Sequence, residues 1–329
     1  MPQERRRLGA GPRFAGLLRG LVGPPGPARL QRRRIARQRG RAVEVVICVH
    51  DALDHVERCL ASVLPTLGPR HRVILVDDGS GAATAGVLDG LAARDGRIRL
   101  VRNAARTGYC RAANAGLRLT TADFVILLNS DTVVAPRWIE KLCDAVYTTE
   151  GAGIVGPLSS AASYQSIPAL NWTAAQTPVN PLPAGLSVAE LDRECEAWTA
   201  GQALPRVPLV HGFCFGLRRA VIERIGLFDE TLFPDGYGEE DDYCLRAGQA
   251  GFALVVATHT YVFHAKTGSY GLAERQLLAE AGARALRARH GEAALAAACA
   301  ALEADPVLAE LRRRAGLLYA EAERAAARA

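Results

Sequence analysis

Two clusters of acidic and amide side chains follow apolar runs and a third follows a glycine-rich loop, where they could hold a cation, accept a proton or accept hydrogen bonds from a base or ribose. The run Val73-Ile74-Leu75-Val76 gives way to Asp77-Asp78-Gly79-Ser80. Two carboxylates beside a tight glycine turn can accept hydrogen bonds from a base or ribose, or can simply form a turn that caps the next helix. The run 124–128 delivers Asn129-Ser130-Asp131-Thr132. Hard divalent cations take oxygen ligands, and Mg²⁺ typically uses one or two protein carboxylates while phosphate oxygens complete its shell. Asp131 alone could anchor one, and a plain Asn/Ser/Asp turn is the competing reading. The third cluster is Glu239-Glu240-Asp241-Asp242, between the glycines of Gly236-Tyr237-Gly238 and a helical stretch that reaches Arg246. The helix dipole favours acids in a first turn, but four in a row exceed what capping requires. Their mutual repulsion is expected to raise at least one pKa, as a general base needs. Finally, Tyr261-Val262-Phe263 ends in His264, a residue usually structural when it stands alone.

The elements that must position these groups read as α/β. Short β-branched runs at 43–49, 73–76, 98–101, 124–128 and 154–155 alternate with amphipathic stretches at 53–64, 84–94, 109–119 and 136–147. That rhythm predicts a mostly parallel sheet flanked by helices, with ligands at the carboxyl edge of its strands. Cys48-Val49-His50-Asp51-Ala52 stands where a dinucleotide site would carry G-x-G-x-x-G, so a dehydrogenase is disfavoured. The rhythm stops over 157–207, a Ser-, Ala- and Pro-rich insertion with one helix expected near 187–199. It resumes with 207–217, helices near 218–225 and from 240, and strands at 252–256 and 260–264. Two or three terminal helices are expected after Tyr270, split at Gly291 and Asp305-Pro306. The reading is thus an arm at 1–41, a catalytic-type domain at 42–271 and a helical extension at 272–329.

Charge is unevenly placed. Of the net +6, residues 1–41 carry +11, from twelve Arg against Glu4 alone, which leaves −5 on the remainder. The arm reads as disordered or surface-associated. Its clustered Arg could meet anionic lipid, whereas the acidic remainder argues against nucleic acid as a partner. No apolar run is long enough to span a bilayer, and the arm lacks the unbroken apolar core of a secretory signal. Eight cysteines, none in a C-x-x-C pair, suit a reducing cytoplasm.

Taken in order, the motifs resemble family 2 glycosyltransferases of GT-A fold, over about residues 43–270. The resemblance is strongest toward bacterial rhamnosyl- and galactosyltransferase-like members. It rests on Asp77-Asp78-Gly79-Ser80, Asn103 through Gly108 to Asn114 and Gly116, Asn129-Ser130-Asp131, Gly212-Phe213-Cys214 with Arg218-Arg219, Gly238-Glu239-Glu240-Asp241-Asp242-Tyr243 with Arg246, and His264. It implies an inverting transfer of sugar from a nucleotide-diphosphate donor to a hydroxyl of a glycan or lipid-linked acceptor. His50, Asp77 or Asp78, Asn114 and Asn129 would lie on the nucleotide side. Asp131 and His264 would hold a divalent metal, Mg or Mn. Glu240 would be the base, with Glu239 and Asp241 as its competitors in register, while Glu239 and Asp242 orient the loop or acceptor. It further implies a cytoplasmic protein, peripheral at the inner membrane where such acceptors are assembled. Asn129 stands in place of the first Asp of a D-x-D, and the Asn103-to-Gly108 spacing is three residues longer than the family's usual N-x-G. The competing readings are a sugar-nucleotide nucleotidyltransferase, which would want a Gly-rich basic loop after the first strand, and a basic nucleic-acid-binding protein.

Overall fold

The first strand is the heptapeptide Val-Glu-Val-Val-Ile-Cys-Val, apolar but for Glu44 and therefore destined to be covered on both faces. The computed structural model describes residues 26–170, 179–266 and 272–328. The first half of the chain comprises α1 (Pro27–Arg37), β1 (Val43–Val49), α2 (Leu53–Val63), β2 (His71–Asp78), α3 (Ala82–Arg94), β3 (Ile98–Asn103), α4 (Tyr109–Arg118), β4 (Phe124–Asn129), β5 (Thr132–Val134), α5 (Trp138–Thr148) and β6 (Ala152–Ser159). Then come α6 (Val188–Trp198), β7 (Arg206–Val207), β8 (Cys214–Arg218), α7 (Arg219–Ile225), α8 (Glu239–Gln249) and β9 (Ala253–His264). Three helices follow, α9 (Leu272–His290), α10 (Glu292–Glu303) and α11 (Pro306–Ala326). No helix among the described residues is long and apolar enough to cross a membrane.

The described strands form one sheet in the order β3-β2-β1-β4-β8-β6-β9-β5, with β7 on β9. β3, β2, β1 and β4 are mutually parallel, while β8 runs antiparallel to both β4 and β6. Side chains alternate across the sheet. On β1, Val43, Val45, Ile47 and Val49 pack with α2 and α5 through Val56, Leu60, Trp138 and Leu142, whereas Val46 faces α4. The second face is also covered by Tyr243 and Cys244 of α8 and by Leu308, Leu311 and Ala315 of α11. The extension at 272–329 is therefore part of the core rather than an appendage.

Three expectations are corrected. The arm at 1–41 is not a loose tail throughout: residues 1–25 lie outside the described residues, but 27–37 form α1 against α5. Ile35 is fully buried there, Gln31 and Gln38 share its face, Arg34 pairs with Asp144 at 3.5 Å and Arg41 stacks 3.6 Å over Tyr147. The 157–207 insertion, of which 171–178 fall outside the described residues, is entered by a β6 that continues to Ser159. The two strands expected at 252–256 and 260–264 are one 12-residue strand, β9, whose register against β6 shifts between Ala257 and Tyr261. The intervening Thr258-His259-Thr260 is buried, and His259 faces the Lys141 carbonyl at 3.2 Å.

Register gathers the motif residues. Val49 pairs with Asp77, Cys48 with Asn129, and Asp78 with Asn103, so the carboxyl ends of β1, β2, β3 and β4 share one edge. β8 approaches from that edge, with Cys214 opposite Leu128, and β9 ends there, with His264 opposite Thr132.

Candidate active site

At the β2 end two carboxylates accept hydrogen bonds from within the fold. Asp78 accepts from Asn103 Nδ2 at 2.8 Å, Thr107 N at 2.9 Å, Thr107 Oγ1 at 2.7 Å and Gly108 N at 3.0 Å. The long Asn103-to-Gly108 loop thus exists to wrap this carboxylate. Asp77 accepts from Ser80 N at 2.9 Å and from Arg102 Nε at 2.6 Å, and these donors hold its carboxyl below the usual range against the opposing pull of burial. Both residues are buried, Asp77 completely. Each oxygen of Asp77 and Asp78 thus accepts at least one hydrogen bond from within the fold, which any base or ribose bound here would have to share. Gly79 is needed for the turn: its φ is +71°, and a Cβ would stand 2.9 Å from Ala105 Cα. His50 remains at the edge, donating from Nδ1 to the Asp78 carbonyl at 2.9 Å.

Asn114 is not part of this edge. It is fully buried in α4, where it clamps the 228–230 segment, donating to Phe228 O at 2.9 Å and Glu230 Oε1 at 2.8 Å and accepting from Phe228 N at 3.1 Å.

Asp131 and His264 do meet. Their Oδ1 and Nε2 lie 3.3 Å apart, at 13% and 5% side-chain exposure. His264 Nδ1 faces the Ala161 carbonyl at 2.8 Å and must donate there, so Nε2 is the ring nitrogen turned toward Asp131. Asn129 Nδ2 stands 3.5 Å from that atom. An imidazole lone pair beside a carboxylate oxygen is a donor set that suits a divalent cation with mixed N and O preference. Among the described residues no group of three or more His, Cys, Asp or Glu side chains could hold a metal ion. The pair would supply two ligands, leaving the rest of the shell to phosphate oxygens and water.

The acidic turn opens α8 across from this pair. Its N-cap Gly238 has φ 124° and no side-chain cap. Successive residues in the turn point about 100° apart, so the four acids diverge. Glu239 is 5% exposed with Oε2 unpartnered, and burial followed by the nearby Glu240 drives its pKa well above the carboxylate range. Glu240 accepts backbone hydrogen bonds from Gly212 and Gly238 and has Lys266 nearby, yet burial still raises its pKa. A Cβ on Gly212 would stand 3.3 Å from that of Glu240, so the two residues approach closely. Asp241 is raised to about 8 by burial and then by Glu240. The sequence reading expected repulsion to lift these groups; burial is the larger cause. Asp242 is fully buried and held by Arg246, Arg289 and His290, so it faces the protein interior rather than an acceptor.

Two residues here escaped the sequence reading. His211 makes an edge contact with His264 at 6.1 Å between ring centres and one with Phe213 at 5.7 Å, while Phe213 stacks on His264 at 5.1 Å. Burial, then His264 and Lys266, push the His211 pKa well down, which keeps its ring neutral. Lys266 follows His264 and lies near both His211 and Glu240. The available signal for His211 was its place directly before Gly212-Phe213-Cys214.

Comparison with known proteins bears on the whole arrangement. Residues 44–226 match the family model described as glycosyl transferase family 2. The chain is 28% identical over 218 residues to the pre-mycofactocin glycosyltransferase of Mycobacterium tuberculosis, covering 65% of this chain and 40% of that protein. To the succinoglycan biosynthesis protein ExoO of Rhizobium meliloti it is 25% identical over 231 residues, 69% of this chain and 62% of the other. Among solved structures it resembles a mannosyltransferase of Pyrobaculum calidifontis in complex with GDP-Man and Mn²⁺, with a TM-score of 0.50 at 18% identity, covering 89% of this chain and 93% of that one. The chain spans 31%, 38% and 40% of the first curated relatives it matches.

Proposed function

The chain belongs to glycosyl transferase family 2 and has the GT-A fold, and from that premise we propose that it moves a sugar, with inversion, from a nucleoside-diphosphate donor to a hydroxyl of a glycan or lipid-linked acceptor. The observation that carries this reading is the convergence at one sheet edge of the Asp131–His264 pair and an acidic turn whose Glu239, Glu240 and Asp241 all hold protons more tightly than ordinary carboxylates.

Glu240 is the base we favour, because its neighbours Gly212 and Lys266 are also those of His211 and His264. Its carboxylate takes the acceptor hydroxyl proton as that oxygen bonds to the anomeric carbon. The bond from that carbon to the diphosphate oxygen breaks, and its electron pair leaves with the diphosphate. A divalent cation, Mg²⁺ or Mn²⁺, held by Asp131 and His264 would offset the charge of the departing diphosphate. The neutral His211 and the cationic Lys266 stand on the same side and favour that charge. His50 and the edge beyond Asn129 remain to meet the nucleotide. The mannosyltransferase with GDP-Man and Mn²⁺ supports a nucleotide sugar and a metal here, and the succinoglycan protein supports a surface polysaccharide as the product.

The test is release of nucleoside diphosphate from a panel of sugar nucleotides, with and without EDTA. We expect turnover with one or few donors, its loss on chelation, and restoration by Mn²⁺ or Mg²⁺. Full activity after exhaustive chelation would remove the metal from the scheme, and an absence of release with every donor would remove the transfer.

Peripheral contact with an anionic inner-membrane surface belongs to the same reading. Arg29, Arg33 and Arg37 recur at four-residue intervals on the exposed side of α1, each worth about 1 kcal/mol near such a surface. Chain and deletion variant lacking residues 1–25 should both sediment with phosphatidylserine vesicles at low salt and detach as salt rises. Charge reversal at these three Arg should abolish sedimentation if α1 is the contact.

A further inference from the structure

The acidic turn is not self-supporting. Gly236, Tyr237 and Gly238 have φ values of 93°, 65° and 124°, three successive residues in left-handed backbone, which persists only where the surroundings over-determine it. Phe233 and Tyr109 flank it on one side, and α9, beyond the matched segment 44–226, packs against it on another. One face of α9 makes the contacts described below. A Cβ at Gly282 would overlap the Tyr237 carbonyl oxygen, and Leu286 lies 3.2 Å from where a Cβ on Gly238 would stand. One turn further, Arg289 Nη1 donates to Asp242 Oδ1 at 3.0 Å and His290 Nε2 donates to the same oxygen at 2.8 Å. Residues 282, 286, 289 and 290 fall on one helical stripe. Arg289 also reaches Asp229 at 3.0 Å, whose carboxylate caps the 229–232 turn through Thr231 N and Leu232 N.

Resting on the transfer reaction proposed above, we infer that α9 is a positioning element for the base-bearing turn, acting through Arg289 and His290 on Asp242. Asp242 lies in the same helical turn as Glu240, whose side chain packs beside Gly212. Loss of the Arg289 and His290 side chains frees Asp242 from one side, leaving Arg246 at 2.7 Å. The strained loop then relaxes and Glu240 shifts relative to Gly212. Displacements of about 1 Å at a reacting group cost on the order of 10²-fold in rate.

The test uses the full chain in four forms: wild type, Arg289→Ala/His290→Ala, the donor-preserving Arg289→Lys/His290→Gln, and Arg287→Ala on the exposed side of α9 as control. Amide hydrogen exchange over residues 236–243 reads the turn directly. We expect exchange there to rise by about tenfold or more in the double alanine variant, with β1 and β4 unchanged. The Lys/Gln and Arg287→Ala variants should stay near wild type. With the donor that wild type turns over, the double alanine variant should lose about 10²-fold in kcat while donor KM moves little. Unchanged exchange in that variant overturns the inference whatever the activity does. Raised exchange with kcat intact overturns it too, because the turn then moves without consequence. A wild-type chain that releases no diphosphate from any sugar nucleotide counts against the transfer reading instead, and the exchange experiment still decides the contact.

Discussion

Two groups of acids stand at the same sheet edge and have opposite fates. Asp77 and Asp78 at the end of β2 are buried but ringed by donors, four of them on Asp78. These donors tie the two carboxylates to the 79–81 and 103–108 loops, which they anchor. Glu239, Glu240 and Asp241 at the start of α8 are desolvated, and what donors they have do not offset it, so their charged forms are disfavoured. Burial alone does not distinguish Asp77 from the acidic turn; whether donors outweigh it does. The same residue type anchors loops in the parallel half of the sheet and, in the reaction proposed above, takes a proton where β8, β9 and α8 meet it.

The largest expected effect separates the two groups by rate. Glu240→Gln should lower kcat by about 10²–10⁴-fold with donor KM nearly unchanged, measured by diphosphate release. A greater kcat loss in Asp241→Asn would move the base by one residue, and a greater loss in a well-folded Asp78→Asn would dissolve the contrast altogether.

Stability should reverse the ranking. Asp78→Ala leaves the buried N–H groups of Thr107 and Gly108 without their acceptor and should cost about 3 kcal/mol in urea unfolding. Asp241→Asn should be neutral or stabilising at pH 8, since it removes a charge the fold disfavours. Loss of stability in both would mean that the turn is as anchored as β2.

The two groups should also answer pH with opposite signs. Folded Asp241 keeps its proton up to about pH 8, whereas the unfolded chain releases it near the ordinary aspartate value of 3.8. Between those values the folded state binds more protons, so stability falls as pH rises from about 4 to about 8 and then levels. For Asp77, lowered from 3.8, stability is present above that value and is lost as pH falls through its folded pKa. Urea midpoints between pH 4 and 8 should decline in wild type and decline less in Asp241→Asn. An identical slope in both would deny Asp241 its raised pKa.

Ser80→Ala is the smallest change. It removes the 3.0 Å bond from Asp51 N, exposed to solvent, and should cost about 0.5–1 kcal/mol without altering kcat.

Much of this edge could be read from the chain, because apolar runs ending in Asp, Asn or His mark the carboxyl ends of buried strands. The alternation from Val43 to β6 placed the strands, and register then brought Asp131, His264 and the acidic turn together. What stayed illegible depended on partners distant in sequence. Nothing near Asp78 in sequence tells that the loop at 103–108 closes on it. Asn114 sits within a motif, yet its partners lie more than 100 residues away, at Phe228 and Glu230. The docked helix α1 was hidden because its buried stripe holds one apolar residue, Ile35, between two glutamines. β9 read as two strands because the polar Thr258-His259-Thr260 interrupts its apolar pattern, although all three are buried.

The path of β9 carries a consequence for how the protein comes into being. Chains emerge from the ribosome amino end first, and segments pair as their partners appear. β1 to β4 can assemble once Asn129 has emerged, but the free side of β4 waits for Cys214–Arg218 and β6 waits for Ala253–His264. Throughout that interval the nascent sheet shows an apolar strand with unpaired backbone groups, the kind of edge that recruits stray chains. The acidic turn and its α9 support come later still. Synthesis therefore leaves a folded but inert half-sheet waiting on its last third, and slowing translation across the 130–264 stretch should favour aggregation over soluble yield.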